Sequence, residues 1–171
     1  MADFYGTVAG ADAYHQARGN AAWAGTEEAK TAALTRASAY IDGLGTQLPV
    51  TQCVLVFPGK KVGGRGQALQ WPRSGAVDRE GDPIDPDSVP TEVEQATYEA
   101  ALRELVKPGS LNPDYVASMA MKSATVGPLK TEFFGPAEGD DQPNKPYVGI
   151  INDILAPIMA WRCPCPGVAT V

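Results

Sequence analysis

Prolines interrupt the middle of this 171-residue chain repeatedly, among them Pro58, Pro72, Pro83, Pro86 and Pro90. Proline lacks an amide donor and breaks a helix, so residues 46–89 cannot continue a helical pattern. A loop of this length is uncommon in a compact domain unless it is functional or contacts another molecule. The sequence therefore predicts a long extended loop or arm over residues 46–89, with a short strand at 53–57.

Helical patterns lie on both sides of this arm. The first helix is expected after Thr7, a good N-cap, and ends near Gly19. The second begins at Thr26, carries an apolar stripe from Ala33 to Leu44, and ends at glycines 43 and 45. The third begins near Pro90, ends at 107–109, and should pack on the second.

The C-terminal third predicts a hairpin and one further helix. Strand-like runs at 115–126 and 129–134 meet at Gly127-Pro128, and residues 135–146 form an acidic loop. Residues 148–161 carry apolar residues at helical spacing, with Pro157 able to kink or shorten that helix, and 162–171 form a tail without periodicity. The predicted fold class is mainly α, a small bundle of about four helices with a β-hairpin and a long extended arm.

Composition argues against catalysis, metal binding and membrane insertion. His15 is the only histidine, it lies on the apolar face of the first helix, and no nucleophile with its base is recognisable. The spacing of Cys53, Cys163 and Cys165 fits neither a zinc pair nor a disulfide framework, so reduced thiols are expected. No run of residues reaches the roughly 18 apolar positions of a membrane span, and no signal peptide is recognisable. The chain is therefore expected not to be an enzyme and to need no cofactor or metal.

Acidic residues cluster in the second half of the arm. They are Asp78, Glu80, Asp82, Asp85 and Asp87. Their spacing hints at a calcium loop, but two prolines fall within it and the bidentate glutamate of such a loop is missing. A solvated, turn-rich acidic loop is the better interpretation.

Charge along the arm changes sign abruptly. Residues 60–79 hold five basic residues against Asp78, a net charge of +4, whereas residues 80–104 hold eight acids against Arg103, a net charge of −7. The basic half could bind single-stranded DNA, with Phe57 and Trp71 as stacking platforms and with Lys60, Lys61, Arg65 and Arg73 on the phosphates. Alternatively, the basic half meets acidic residues of an adjacent subunit, which a pI near 4.7 favours.

Several segments together resemble one family. They are 11–14, 18–19, Trp23, 33–34, 36–37, 40–42, 67–75 with its Trp71-Pro72-Arg73-Ser74-Gly75 core, Asp78, 81–84, 89–90 and 126–129. This set resembles the head–tail connector proteins of tailed bacteriophages, also called adaptor or head-completion proteins. The same group carries the label of a DnaT-like single-stranded-DNA-binding family.

The resemblance implies a structural virion protein without catalytic activity. It implies a homo-oligomeric ring, twelvefold by family analogy, between the portal and the next neck or tail component, with genomic double-stranded DNA passing through without sequence-specific binding. Such a protein would lie in the virion neck, and in the host cytoplasm before assembly. Residues 1–147, with arm 46–89 and hairpin 115–134, would form the adaptor domain, and residues 148–171 would dock on the portal.

We assign two sets of contact residues on this basis. The intersubunit set is Phe57, Lys60, Lys61, Arg65, Trp71, Pro72, Arg73 and Asp78. The portal-docking set is Ile151, Ile154, Leu155, Ile158 and Trp161. The alternative function is a single-stranded-DNA-binding module that uses the basic and aromatic segment 57–73.

Overall fold

The structure, a computed structural model, describes residues 4–46, 53–113 and 146–163, together with the backbone of 123–126 and 129–132. Its helices are α1 (Val8–Ala17), α2 (Glu27–Gly45), α3 (Thr91–Val106) and α4 (Gly149–Leu155). Its strands are β1 (Val54–Val56), β2 (Lys60–Lys61), β3 (Arg73–Ser74), β4 (Ser123–Val126), β5 (Leu129–Glu132) and β6 (Ala160–Arg162). Short 3₁₀ turns lie at Gly64–Gly66 and Ala156–Ile158.

The helix boundaries follow the capping residues. The Thr7 hydroxyl accepts from the Gly10 amide at the start of α1, and the Thr26 hydroxyl accepts from the Ala29 amide at the start of α2. Pro90 occupies the N-cap of α3, where its missing amide costs nothing, and Glu92 and Glu94 follow in the first turn. All three predicted helices are confirmed at nearly the predicted bounds.

Helix α3 is the centre of the bundle, because α1, α2 and α4 all pack against it. The pairing of α2 with α3 is the largest contact and confirms the predicted packing. Small residues such as Ala37 and Ala100 are completely buried at these helix contacts and allow close approach, while Leu34, Ile41 and Val93 fill the core.

The predicted fold class is confirmed: the described part of the chain is mainly α-helical, with four helices and a two-stranded hairpin. Strands β4 and β5 pair antiparallel, with Val126 opposite Leu129. The remaining residues of the predicted strands, 115–122 and 133–134, and residues 135–145 of the predicted acidic loop, lie outside the described residues. No helix within the described part of the chain is long and apolar enough to cross a membrane.

Two C-terminal predictions are wrong. The last helix does not reach position 161, because α4 ends at Leu155, the turn at Ala156–Ile158 contains Pro157, and residues 160–162 form β6. Strand β6 pairs antiparallel with β1, more than one hundred positions earlier, with Trp161 opposite Leu55.

The second error concerns the cysteines. Cys53 and Cys163 form a disulfide next to the β1–β6 ladder, so these two thiols are not reduced. The two residues are separated by 110 positions in sequence, and the local spacing of the cysteines gives no sign of their pairing.

Candidate nucleic-acid interface

Four basic residues predicted to bind phosphate lie on one open concave surface. Lys60, Lys61, Arg65 and Arg73 line it, together with Gly59, Gly64 and Gln70. We call these seven residues the basic surface. Lys60 and Arg65 are exposed, whereas Lys61 and Arg73 are half-buried. The structure therefore brings the predicted basic set together, but only two of its members present their charges fully to solvent.

A short hairpin shapes the basic surface. Lys60 pairs with Ser74 and Lys61 with Arg73 in the β2–β3 ladder. Gly59 enters this ladder with a positive φ of 70°, and a Cβ there would lie 2.5 Å from the Ser74 carbonyl oxygen. Glycine is thus required at position 59 for the strands to approach.

Arg73 holds this hairpin to the preceding strand. Its guanidinium donates to the carbonyl oxygens of Pro58 (2.6 Å), Gly59 (2.8 Å) and Phe57 (3.4 Å). It also donates to the side-chain and main-chain oxygens of Gln70, at 3.0 and 3.3 Å. Burial lowers the pKa of this guanidinium, while the nearby Tyr5 and Asp42 act to raise it. Arg73 is committed to carbonyl oxygens of its own chain, so its position supports the loop more than a phosphate contact.

The two aromatics predicted as stacking platforms are buried. Trp71 is 2% exposed and Phe57 is 3% exposed, and their rings meet edge to face at 5.6 Å. Phe57 packs directly on the backbone of α2 at Gly45. Pro72 follows Trp71 through a cis peptide bond and is half-buried. In this conformation neither ring can stack on a base or anchor a neighbouring subunit.

A polar cluster fixes the loop beneath Trp71. The Tyr5 hydroxyl donates to the Asp42 carboxylate and accepts from the amides of Gln70 (2.9 Å) and Trp71 (3.1 Å). Burial, then the neighbouring Asp42, raises the pKa of Tyr5, and burial likewise raises the pKa of Asp42. Both groups therefore favour their neutral forms more than exposed groups would, which suits a structural role.

Asp78, the acidic member of the intersubunit set, organises a turn. Its Oδ1 accepts from the amides of Glu80 (2.9 Å) and Asp82 (2.8 Å). This arrangement agrees with the predicted turn-rich acidic loop. Within the described residues no cluster of three or more His, Cys, Asp or Glu side chains could hold a metal ion.

The predicted portal-docking residues differ sharply in burial. Ile151 and Leu155 are completely buried and Ile158 is 3% exposed, whereas Ile154 is half-buried. Trp161 is 66% exposed. Only Trp161 of this set thus offers a large apolar surface to a partner, while the others hold α4 to the bundle.

His15 is buried in the helix bundle. One ring nitrogen lies 3.1 Å from the Tyr98 carbonyl oxygen and the other 3.0 Å from the Asn20 amide nitrogen. Burial lowers the pKa of His15, and the ring stacks obliquely on Trp23. These contacts describe a packed histidine that holds helix contacts together.

A second concavity lies beside the basic surface and contains residues that the sequence analysis missed. This groove, about 710 Å³ in volume, lies between the N-terminal segment and the arm. Phe4, Val62, Leu69 and Val89 contribute apolar walls, and Glu94 contributes a carboxylate. The groove could not be recognised from the sequence alone, because its walls come from four separate segments.

Comparison with known proteins identifies the family. No curated protein and no solved structure matches the chain significantly. These comparisons therefore do not test the resemblance to phage head–tail connectors, which stays a prediction. A family model described as "Putative DnaT-like ssDNA binding protein" matches residues 1–169. This match covers nearly the whole chain, so the chain belongs to the DnaT-like single-stranded-DNA-binding family.

Proposed function

We propose that this protein binds single-stranded DNA through the basic surface. The observation that carries the proposal is the convergence of Lys60, Lys61, Arg65 and Arg73 on one open surface in a member of this family. Lysine and arginine neutralise phosphates and release condensed counterions, which supplies most of the affinity in sequence-independent binding. Gly64, where a Cβ would meet no other atom within 4 Å, leaves room for a DNA strand to approach the backbone.

The contacts modify the binding mode expected from sequence. Phe57 and Trp71 are buried, so stacking on these two rings does not contribute. Arg73 is occupied by carbonyl oxygens, and Lys61 donates to the Gln67 carbonyl oxygen. Lys60 and Arg65 remain as the exposed phosphate ligands, which gives weak binding that is almost entirely electrostatic.

Fluorescence anisotropy with a labelled oligothymidine of about 15 nucleotides, near the upper site size of one small single-strand-binding domain, tests the proposal. Two neutralised phosphates predict that log K falls against log salt with a slope of about −1.4. Lys60→Glu combined with Arg65→Glu should abolish binding, whereas Lys107→Glu, an exposed charge outside the basic surface, should leave most of it. Absence of binding at low salt, or equal loss with Lys107→Glu, would refute the proposal.

We propose as a second candidate the structural role of a head–tail adaptor that assembles with itself and with a portal. It is favoured by an exposed aromatic on the segment predicted to dock, where Trp161 is 66% exposed, and by a second one just before that segment, where Tyr147 is 81% exposed. Large exposed aromatics are costly unless a partner covers them, and aromatic residues are enriched at the centres of protein interfaces. The acidic net charge of −6 also suits a passage through which duplex DNA slides.

Co-sedimentation with purified portal rings tests this candidate. Trp161→Ala should weaken association, whereas Val106→Ala, at an apolar residue that is 64% exposed at the end of α3, should not. Oligonucleotide binding should be the same in both variants. Portal association that tolerates Trp161→Ala would remove Trp161 from the interface, and no association at all would remove the adaptor function.

A further inference from the structure

One turn separates the basic surface from the apolar groove. Residues 60, 61, 64 and 65 of this turn line the basic surface, whereas residues 62, 63, 66 and 67 line the groove. A strand whose phosphates lie on the basic side therefore passes within one turn of the groove. A nucleotide has the same division, with a charged phosphate at one end and a largely apolar base at the other.

The groove has the chemical character of a base pocket. Phe4 and Leu69 are half-buried and offer apolar contact surface of the kind that the faces of a base prefer. Among the described residues of its wall Glu94 is the only acid, and its carboxylate makes no hydrogen bond or ion pair with the described residues around it. Burial raises the pKa of Glu94, because the charged carboxylate has lost part of its hydration. A hydrogen-bond donor placed against this carboxylate would replace some of that lost hydration.

We propose that the groove binds one base of the bound strand, with guanine preferred because its Watson–Crick edge carries two adjacent donors for the Glu94 carboxylate. This inference rests on the proposed binding of single-stranded DNA and deepens it from phosphate contact to base preference. Guanine N1–H and the N2 amine fit the two carboxylate oxygens side by side. Thymine, adenine and cytosine each place an acceptor beside their donor on that edge, and the acceptor repels a carboxylate.

The test compares three labelled oligonucleotides of equal length in the same anisotropy assay. They are oligothymidine, the same strand with one central dG, and the same strand with deoxyinosine, which lacks the N2 amine, in place of dG. The dG strand should bind about tenfold more tightly than oligothymidine, as one hydrogen-bonded contact to a charged group provides, and the inosine strand should lie between them.

Two variants locate the preference. Glu94→Gln should bring the three affinities together while retaining the salt slope, and Glu92→Gln, two residues earlier on the same helix, is the matched control. Ala68→Trp places a bulky ring at an exposed position on the groove and should also remove the preference. Circular dichroism checks that both variants stay folded.

The outcomes separate this inference from the function on which it rests. Salt-dependent binding that is equal for all three strands overturns the base pocket and leaves the proposed function in place. A guanine preference that survives Glu94→Gln and Ala68→Trp also overturns it, because another site must then read the base. Failure of every strand to bind overturns both.

Discussion

Replacing Arg73 with lysine distinguishes a structural role for this residue from a phosphate-binding one. The substitution keeps the positive charge but removes the planar fork that reaches several acceptors at once. A phosphate ligand would tolerate it with little effect on folding. The structure instead predicts a loss of stability, because the guanidinium connects the β2–β3 hairpin to the end of β1.

The contacts give the size of the effect. Three bonds are short, to Pro58 (2.6 Å), Gly59 (2.8 Å) and the Gln70 side chain (3.0 Å), and two more are long, at 3.3 and 3.4 Å. A lysine ammonium can keep one of the short bonds. The loss of two good bonds at about 1 kcal/mol each, with little from the long ones, predicts that the free energy of unfolding falls by about 2 kcal/mol.

Urea unfolding followed by tryptophan fluorescence measures this change, since Trp71 lies beside the loop that Arg73 holds. Arg65→Lys is the control, because Arg65 is exposed, and it should change the free energy by no more than about 0.5 kcal/mol. Equal stability of Arg73→Lys and the unsubstituted protein would refute the structural role of Arg73 and would favour its role as a phosphate ligand.

Three further predictions concern the core and its cross-link. Gly45→Ala should destabilise the fold by roughly 1 to 3 kcal/mol in thermal unfolding, because the new Cβ would overlap the buried Phe57 ring. Cys53→Ser removes the bond to Cys163 and should lower the free energy of unfolding by roughly 3 to 5 kcal/mol, because this bond closes a long loop. Adding a reductant should then change the stability of this variant little. Burial acts to raise the pKa of Glu104, but the amides of Gly109 and Leu111 and the Arg36 guanidinium lower it overall, below 4.5. The stability that this carboxylate provides is therefore complete above about pH 5 and is lost as the pH falls through the folded pKa. In urea unfolding, Glu104→Gln should therefore lose less stability between neutral and acidic pH than the unsubstituted protein does.

Sequence predicted the helices well because their signals are local. Thr7 and Thr26 cap the helices that immediately follow them, and Pro90 begins α3 where a missing amide is harmless. Strands β4 and β5 likewise pair residues that are close together in sequence, such as Val126 and Leu129. In each case the residues that decide the structure lie within a few positions of one another.

The errors involve partners that are distant in sequence. Residues 160 and 161 fall within the segment 148–161 predicted to be helical, and only pairing with β1 makes them part of a strand. The Cys53–Cys163 bond depends on that same pairing. The burial of Trp71 could not be predicted either, because the proline-rich segment around it has no hydrophobic periodicity that would assign the residue to a core.

Burial of the two aromatics also sharpens the choice between the proposed functions. A binding site with exposed stacking rings would keep substantial affinity at high salt, since stacking is less sensitive to ions than phosphate contact. Here the exposed rings lie at Tyr147 and Trp161, on the segment that ends the described chain, while the basic surface has buried rings beneath it. DNA binding at the basic surface should therefore weaken as salt is added, whereas a protein contact through Trp161 should persist, because apolar burial is insensitive to screening. Salt dependence measured on each variant thus assigns each surface to its partner.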